Sequence, residues 1–328
     1  MAGRFIGGFV TLIVLVGAAA VSGTAQGARP GEERLVSCSF NPAKATAAVR
    51  VRQGKPLRLN LPPGFPEDVE EALSVALPTN VAVQRRGDGI AIIEGDFPFG
   101  PPVPCAQGPI TVDNTDRLRI AKGRAAESID LTLDLAYGFL EPGVVDEGDG
   151  SSEIEIRANL GGGLATVRFT REQDHVTAVR STRGIEINFN SLETLPDADL
   201  VLDPGAVPLL LGGGSDDVLS AEAESSSASN EAFLWFGGQG ADAITGSSTT
   251  DFIVGGPGAD VVEAGPGNDF VDALGRASDT IDCGPGQDIV VVRDDAIRLR
   301  RCERIEELGR FGDDFSRPLR AYLRARSR

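Results

Sequence analysis

A spacing of nine residues governs the stretch from Gly237 to Val291. Gly237 to Thr245 reads GGQGADAIT, Gly246 to Val254 GSSTTDFIV, Gly255 to Glu263 GGPGADVVE, and Ala264 to Asp272 AGPGNDFVD. One inserted residue gives ALGRASDTID over Ala273 to Asp282, and the register resumes with CGPGQDIVV from Cys283 to Val291. A weaker copy, GGGSDDVLS at Gly212 to Ser220, stands before a Ser-rich insertion at Ser225 to Ser229. Self-similarity at so short a fixed period restricts the fold to stacked copies, because no single copy can bury its apolar face alone. In each copy a Gly-rich loop, whose glycines tolerate positive φ, leads into a short strand. The apolar residue at the eighth position is Ile244, Ile253, Val262, Val271, Ile281 or Val290, and these side chains are expected to point into the stack and form a narrow core.

Asp ends the loop of every copy, at the sixth position except in the copy with the insertion, where Asp279 is seventh. A carboxylate beside inward-turned backbone carbonyls is the oxygen donor set that calcium takes. The chain also carries 48 acidic against 31 basic side chains, a net charge of -17, which argues against a nucleic-acid partner and suits carboxylates that meet divalent cations. On these residues, Gly237 to Val291 resembles the hemolysin-type, or RTX, calcium-binding repeat family, which folds as a parallel β-roll. The resemblance implies that two nonapeptides complete one turn and that each calcium lies between loops two repeats apart. Carried onto this sequence, it places Asp242, Asp260 and Asp279 along one side of the roll, and Asp251, Asp269 and Asp288 along the other. The best-formed loop pairs are Gly237 to Asp242 with Gly255 to Asp260, and Ala264 to Asp269 with Cys283 to Asp288. Ser and Thr replace Gly in the loop ending at Asp251, which leaves that residue as either ligand or spacer. Arg276 and the inserted residue leave the same two readings for Asp279. Asp217 is a weaker candidate still, because Ser215 stands at the fourth position of its loop. The repeats occur in proteases, lipases, toxins, adhesins and surface-layer proteins, so they do not name an activity.

Arg4, the apolar run Phe5 to Val21, and the small residues Ala25 and Gly27 read as a secretory signal over residues 1–27, with a retained single-span anchor as the alternative. Family members exported in one step carry a C-terminal signal and usually no N-terminal one, the reverse of the order here. Cys38, Cys105, Cys283 and Cys302 lack the close spacing of a zinc site, and in an exported chain they favour disulfides. Three connectivities are possible. Sequence neighbourhood favours Cys38 with Cys105 and Cys283 with Cys302, each link contributing about 3 to 4.5 kcal/mol by the chain-entropy argument.

The expected fold class is all-β, a parallel β-roll or β-solenoid in the C-terminal part preceded by further β-strand coils or a β-rich unit. Residues 28–108 read as an N-terminal β unit of short alternating runs at Ala48 to Arg52, Leu57 to Leu61 and Gly89 to Ile93, broken by Pro-rich connections. Residues 109–211 hold brief strands around Ile129, Ile154 and Ile185 whose irregular spacing admits either solenoid coils or a sandwich. Residues 212–292 form the roll. Residues 293–328 are an Arg-rich tail, read as an amphipathic cap on the open end (Leu319, Tyr322, Leu323) or as an anionic-surface contact.

Catalytic motifs are sparse. His175 is the only histidine, which excludes an H-E-x-x-H zinc site, and its polar context, REQDH, reads as solvent-exposed. Glu153 with Glu155, or Asp197 with Asp199, are the carboxylate pairs that a β-helical polysaccharide-active enzyme would use, against the plainer reading of a hydrated face. The leading expectation is a calcium-binding structural or interaction protein, extracellular or at the cell surface, without enzymatic activity. Its partners would be calcium and a cell-surface polymer or another extracellular protein, with no membrane span after processing.

Overall fold

The computed structural model describes residues 34–52, 79–95, 100, 102–124, 126, 128–140, 154–181, 184–189, 198–221, 232–273, 275, 278–292 and 297–307. The signal segment, Leu57 to Leu61 and the tail after residue 307 lie outside them, and so do Glu153 and Asp197. Among the described residues the regular structure is all strand apart from one 3-10 turn at Pro42–Lys44, and no helix is long and apolar enough to cross a membrane. The strands form two sheets, one of 13 and one of 10.

Copies one period apart fall in opposite sheets, and copies two periods apart pair in parallel. In the larger sheet Ala243–Thr245, Val261–Glu263, Thr280–Asp282 and Arg298–Arg300 stack in that order, with Ile244 opposite Val262, Val262 opposite Ile281 and Ile281 opposite Leu299. In the smaller sheet Leu234–Gln239, Phe252–Val254, Phe270–Ala273, Ile289–Val292 and Arg304–Glu307 stack likewise, aligning Trp235, Ile253, Val271, Val290 and Ile305. The inserted residue is taken up between Phe270–Ala273 and Thr280–Asp282, so the pairing register survives it. All six eighth-position side chains are buried in the central core. The core is narrow because a three-residue strand turns only its middle side chain inward.

The same two sheets extend through the irregular region. Val207–Gly214 pairs in parallel with Leu164–Arg168 on one side and with Leu234–Gln239 on the other. Leu211, the expected end of the irregular region, therefore lies within a strand shared with the roll. Thr79–Arg86, Ile129–Asp134 and Leu164–Arg168 continue that sheet in parallel. In the larger sheet Thr46–Val51, Arg117–Lys122, Glu155–Asn159 and Leu200–Leu202 do the same. The described strands of residues 109–211 thus continue the two sheets of the roll. One hairpin interrupts the parallel order: Gly184–Phe189 runs antiparallel to both His175–Ser181 and Leu200–Leu202. A hairpin also stands at the N-terminal end of each sheet, Val36–Asn41 with Thr46–Val51 and Thr79–Arg86 with Gly89–Glu94, and in the larger sheet Cys105–Ala106 pairs outside it.

Cys38 bonds to Cys105 across adjacent parallel strands of the larger sheet, and Cys283 bonds to Cys302, enclosing 19 residues of sequence separation around the last coil. These are the pairs that sequence neighbourhood favours.

Candidate metal centre

Each Gly-rich loop ends on its Asp just before the strand turns inward, so stacking of strands also stacks the aspartates. Along one side of the roll the N–H of Asp217 donates to Asp242 Oδ1 at 2.9 Å, that of Asp242 to Asp260 Oδ1 at 3.0 Å, and that of Asp260 to Asp279 Oδ1 at 3.1 Å. Along the other side Asp251 donates to Asp269 Oδ1 at 2.8 Å and Asp269 to Asp288 Oδ1 at 2.9 Å. The structure therefore brings Asp242, Asp260 and Asp279 into one ladder, and Asp251, Asp269 and Asp288 into the other. All six are buried.

The second carboxylate oxygens behave differently. Oδ2 of Asp217, Asp242, Asp260, Asp269 and Asp288 is buried and has no hydrogen-bond partner among the described residues. An unpaired buried carboxylate oxygen is costly unless something positive meets it. Those of Asp217, Asp242 and Asp260 sit close against the first glycine of their own loop. A Cβ added at Gly237 would collide with Asp242 Oδ2 and lie 2.6 Å from the carbonyl oxygen of Gly255, and one added at Gly255 would strike Asp260 Oδ2. The second-position glycines Gly213, Gly238, Gly256, Gly265 and Gly284 all have left-handed φ, between 86° and 112°. A side chain at any of the last four would run into a carbonyl of the coil before. Glycine at both positions, at Gly212 and Gly213, Gly237 and Gly238, and Gly255 and Gly256, keeps open a cradle lined by one carboxylate oxygen and stacked carbonyl oxygens.

An all-oxygen cradle of this kind fits a hard cation such as calcium. Among the described residues no three His, Cys, Asp or Glu side chains gather as a metal cluster. That is consistent with donors drawn mainly from the backbone, one carboxylate per rung.

Electrostatics point the same way. Burial is the first cause that lifts these carboxyls above the ordinary carboxylate range, and repulsion between rungs adds to it in several. Asp269 is pushed up to about 8 by burial and by the charges of Asp251 and Asp288. Asp260 and Asp217 rise to about 7, and Asp288 and Asp251 to about 6. Asp242 and Asp279 are also raised by burial. A bound cation would offset both burial and repulsion.

The sequence underrates some members of the ladders. Asp217 has the full rung geometry despite Ser215. Beyond it the N–H of Asp174 donates to Asp217 Oδ1 at 2.9 Å, a rung with no repeat signature. The second ladder ends on Glu303, whose Oε2 accepts the N–H of Asp288 at 3.0 Å. The 25-residue separation of Asp217 from Asp242, against 18 for Asp242 and Asp260, hides the first of these. The carboxylates considered for catalysis have other engagements: Glu155 pairs with Arg117 at 3.0 Å, and Asp199 Oδ2 accepts the N–H of Phe189 at 2.6 Å. His175 is half-buried at the start of its strand, where an exposed residue was expected, because that strand is an interior member of the larger sheet.

Residues 236–271 match the family model of the RTX calcium-binding nonapeptide repeat in four copies. No curated protein and no solved structure matches the chain.

Proposed function

We propose that this chain, whose residues 236–271 match the RTX calcium-binding nonapeptide repeat, is an extracellular structural or interaction protein whose roll completes its folding when calcium fills the loops, and that it is not an enzyme. The observation that carries this reading is the row of buried, unpartnered Oδ2 atoms facing carbonyl-lined cradles. Without cations, carboxylates stacked one coil apart repel each other, so binding and folding are coupled. Extracellular oxygen-rich sites have dissociation constants on the order of 0.1 to 1 mM, which matches calcium outside cells and exceeds the level within. Export through the N-terminal signal would then trigger folding, and the rigid roll would present its outer faces to a surface polymer or another extracellular protein.

The alternative, a polysaccharide-active enzyme on the same frame, needs free carboxylates, and the engagement of Glu155 and Asp199 supports the non-enzymatic reading. The test is calcium titration of the mature chain, followed by circular dichroism and by protease resistance of Gly237 to Val291, with a glycan-substrate screen alongside. Gain of β signal and of resistance with calcium, and no turnover, is the expected result. Full resistance in chelator would overturn the calcium-coupled reading. Turnover abolished by Glu155→Gln without unfolding would establish the enzyme.

A further inference from the structure

We propose that the Asp251 rung is a built-in ion-free rung, in which the backbone N–H and hydroxyl of Ser247 take the place of calcium, so that the calcium-bearing part of the second ladder begins at Asp269. This rests on the calcium reading of the other rungs.

The second position of the loop decides the difference. Where it is Gly, as at Gly238, Gly256, Gly265 and Gly284, nothing among the described residues donates to the Oδ2 of the Asp four residues on. At Ser247 the backbone N–H donates to Asp251 Oδ2 at 2.6 Å, and the hydroxyl lies 3.0 Å from Oδ2 and 3.2 Å from Oδ1. The N–H of Phe233 donates to Oδ1 at 3.2 Å. Ser247 is itself held, since its Oγ accepts the N–H of Thr249 at 3.1 Å. Asp251 thus has donors on both oxygens, and it is buried.

A buried cation lies in the same neighbourhood. Arg180 is 1% exposed and its guanidinium carbon stands 4.5 Å over the ring of Phe233. A cation already near a carboxylate disfavours a second one by direct repulsion. Phe233 links the two groups, offering its N–H to the carboxylate and its ring to the guanidinium.

The first ladder repeats the device with a different residue. Thr170 stands four before Asp174, as Ser247 stands four before Asp251. Its N–H and hydroxyl meet Asp174 Oδ2 at 3.0 Å, and the hydroxyl lies 3.1 Å from Oδ1. Each ladder therefore opens on a hydroxyl-satisfied rung and continues with rungs whose Oδ2 is unmet, at Asp217, Asp242 and Asp260 in the first and at Asp269 and Asp288 in the second. The opening rungs hold their geometry without an ion and offer the next coil a formed surface.

The experiment uses the mature chain and calcium itself. Stoichiometry is read by equilibrium dialysis for the parent, Asp251→Asn and Asp269→Asn, and amide exchange is read in chelator for the parent and Ser247→Ala. Asp251→Asn is expected to keep the parental stoichiometry, whereas Asp269→Asn loses about one calcium per chain. In chelator the amides of Phe233 and Ser247 stay protected in the parent, and Ser247→Ala speeds their exchange by about tenfold or more, since a hydrogen bond to a charged group is lost. Loss of a calcium from Asp251→Asn overturns the proposal, and so does free exchange at Phe233 and Ser247 in the chelated parent. A parent that takes up no calcium refutes the calcium reading instead, and the exchange measurement still decides the rung.

Discussion

Asp260 accepts the backbone N–H of Asp242 on its Oδ1 at 3.0 Å, while its Oδ2 is buried and unpartnered among the described residues. One oxygen holds the coils together and the other faces the cradle. The two roles belong to different atoms, so substitutions can separate them.

Asp260→Asn retains an acceptor for the Asp242 N–H and removes the negative charge. In chelator it should melt at or above the parental temperature, because a buried charge is gone, while calcium uptake falls. Asp260→Ala loses the acceptor too, and should cost about 1.5 to 3 kcal/mol in chelator. The double variant Asp260→Ala/Asp269→Ala strikes both ladders and should lower the stoichiometry while leaving the coils from Cys38 to Leu211 folded. Calorimetric titration and chelator melts check all three. An asparagine variant that bound calcium as the parent does would remove Oδ2 from the ligand set.

The pH dependence of the calcium-free roll has a definite sign. Asp269, at about 8, and Asp217 and Asp260, at about 7, lie well above the ordinary carboxylate value of 3.8. The folded state therefore holds protons that the unfolded chain releases, and the stability these protons confer is present below about pH 4 and lost as pH rises through about 6 to 8. The half-buried Asp282, whose pKa is lowered by its hydrogen bond from the exposed Arg301, acts in the opposite direction, and solvent around Arg301 screens the effect. In chelator the melting temperature of the repeats should fall between pH 5 and pH 8, while calcium should stabilise most at the upper end, where protons no longer compete. Melts at three pH values with and without calcium are sufficient. A chelated roll that gained stability across that interval would contradict the buried-carboxylate account.

Gly256 has φ of +110°, and a side chain there would run into the carbonyl oxygen of Gly238 in the coil below. Gly256→Ala should destabilise by about 1 to 2 kcal/mol from backbone strain alone, with more from the displaced coil. Ser248→Ala, at an exposed loop position, is the control and should change little. Urea unfolding in saturating calcium compares them.

Cys283 is buried against the core and Cys302 lies just before the last described strand, so their bond clamps the final coil. The Cys283→Ser/Cys302→Ser variant should lose about 3 kcal/mol. Hydrogen exchange should rise first in Ile289–Val292 and Arg304–Glu307 and spare the coils before Leu211. Peptide mapping without reduction should recover the Cys38–Cys105 and Cys283–Cys302 links.

The repeats are legible in the sequence because every residue of a nonapeptide has a fixed structural duty. The Asp at position six and the apolar residue at position eight, such as Asp260 and Val262, can be assigned to ladder and core by counting alone. The earlier coils use the same stacking with connections of varied length: Thr46–Val51 pairs directly with Arg117–Lys122, and Arg117–Lys122 with Glu155–Asn159. A hydrogen-bonded ladder constrains what lies above and below, not how much chain intervenes, so no period survives there. Asp174 escapes notice for a second reason. Its loop carries Thr170 where a repeat would have Gly, and a polar side chain that satisfies the carboxylate replaces the pattern that marks the others. The hairpin at Gly184–Phe189 inserts a strand against the parallel run, and nothing in the alternation of Ile185 and Ile187 distinguishes it from a parallel coil.

The rung bonds all run one way: the carboxylate of each later coil reaches back to the N–H of the coil before it, from Asp217 serving Asp174 to Glu303 serving Asp288. The roll in this respect resembles a filament with a growing end and a stopped end. A coil just laid down has an aspartate N–H still waiting for its successor, and only the arrival of the following turn completes it. Glu303 brings the second column to a halt with a longer side chain in place of Asp, and the adjacent Cys302 fastens that end covalently. A chain threaded from its N-terminus would therefore carry one unfinished turn at its advancing front until residues 302 and 303 arrived, and the last few residues of the roll would set the moment at which the whole column became stable.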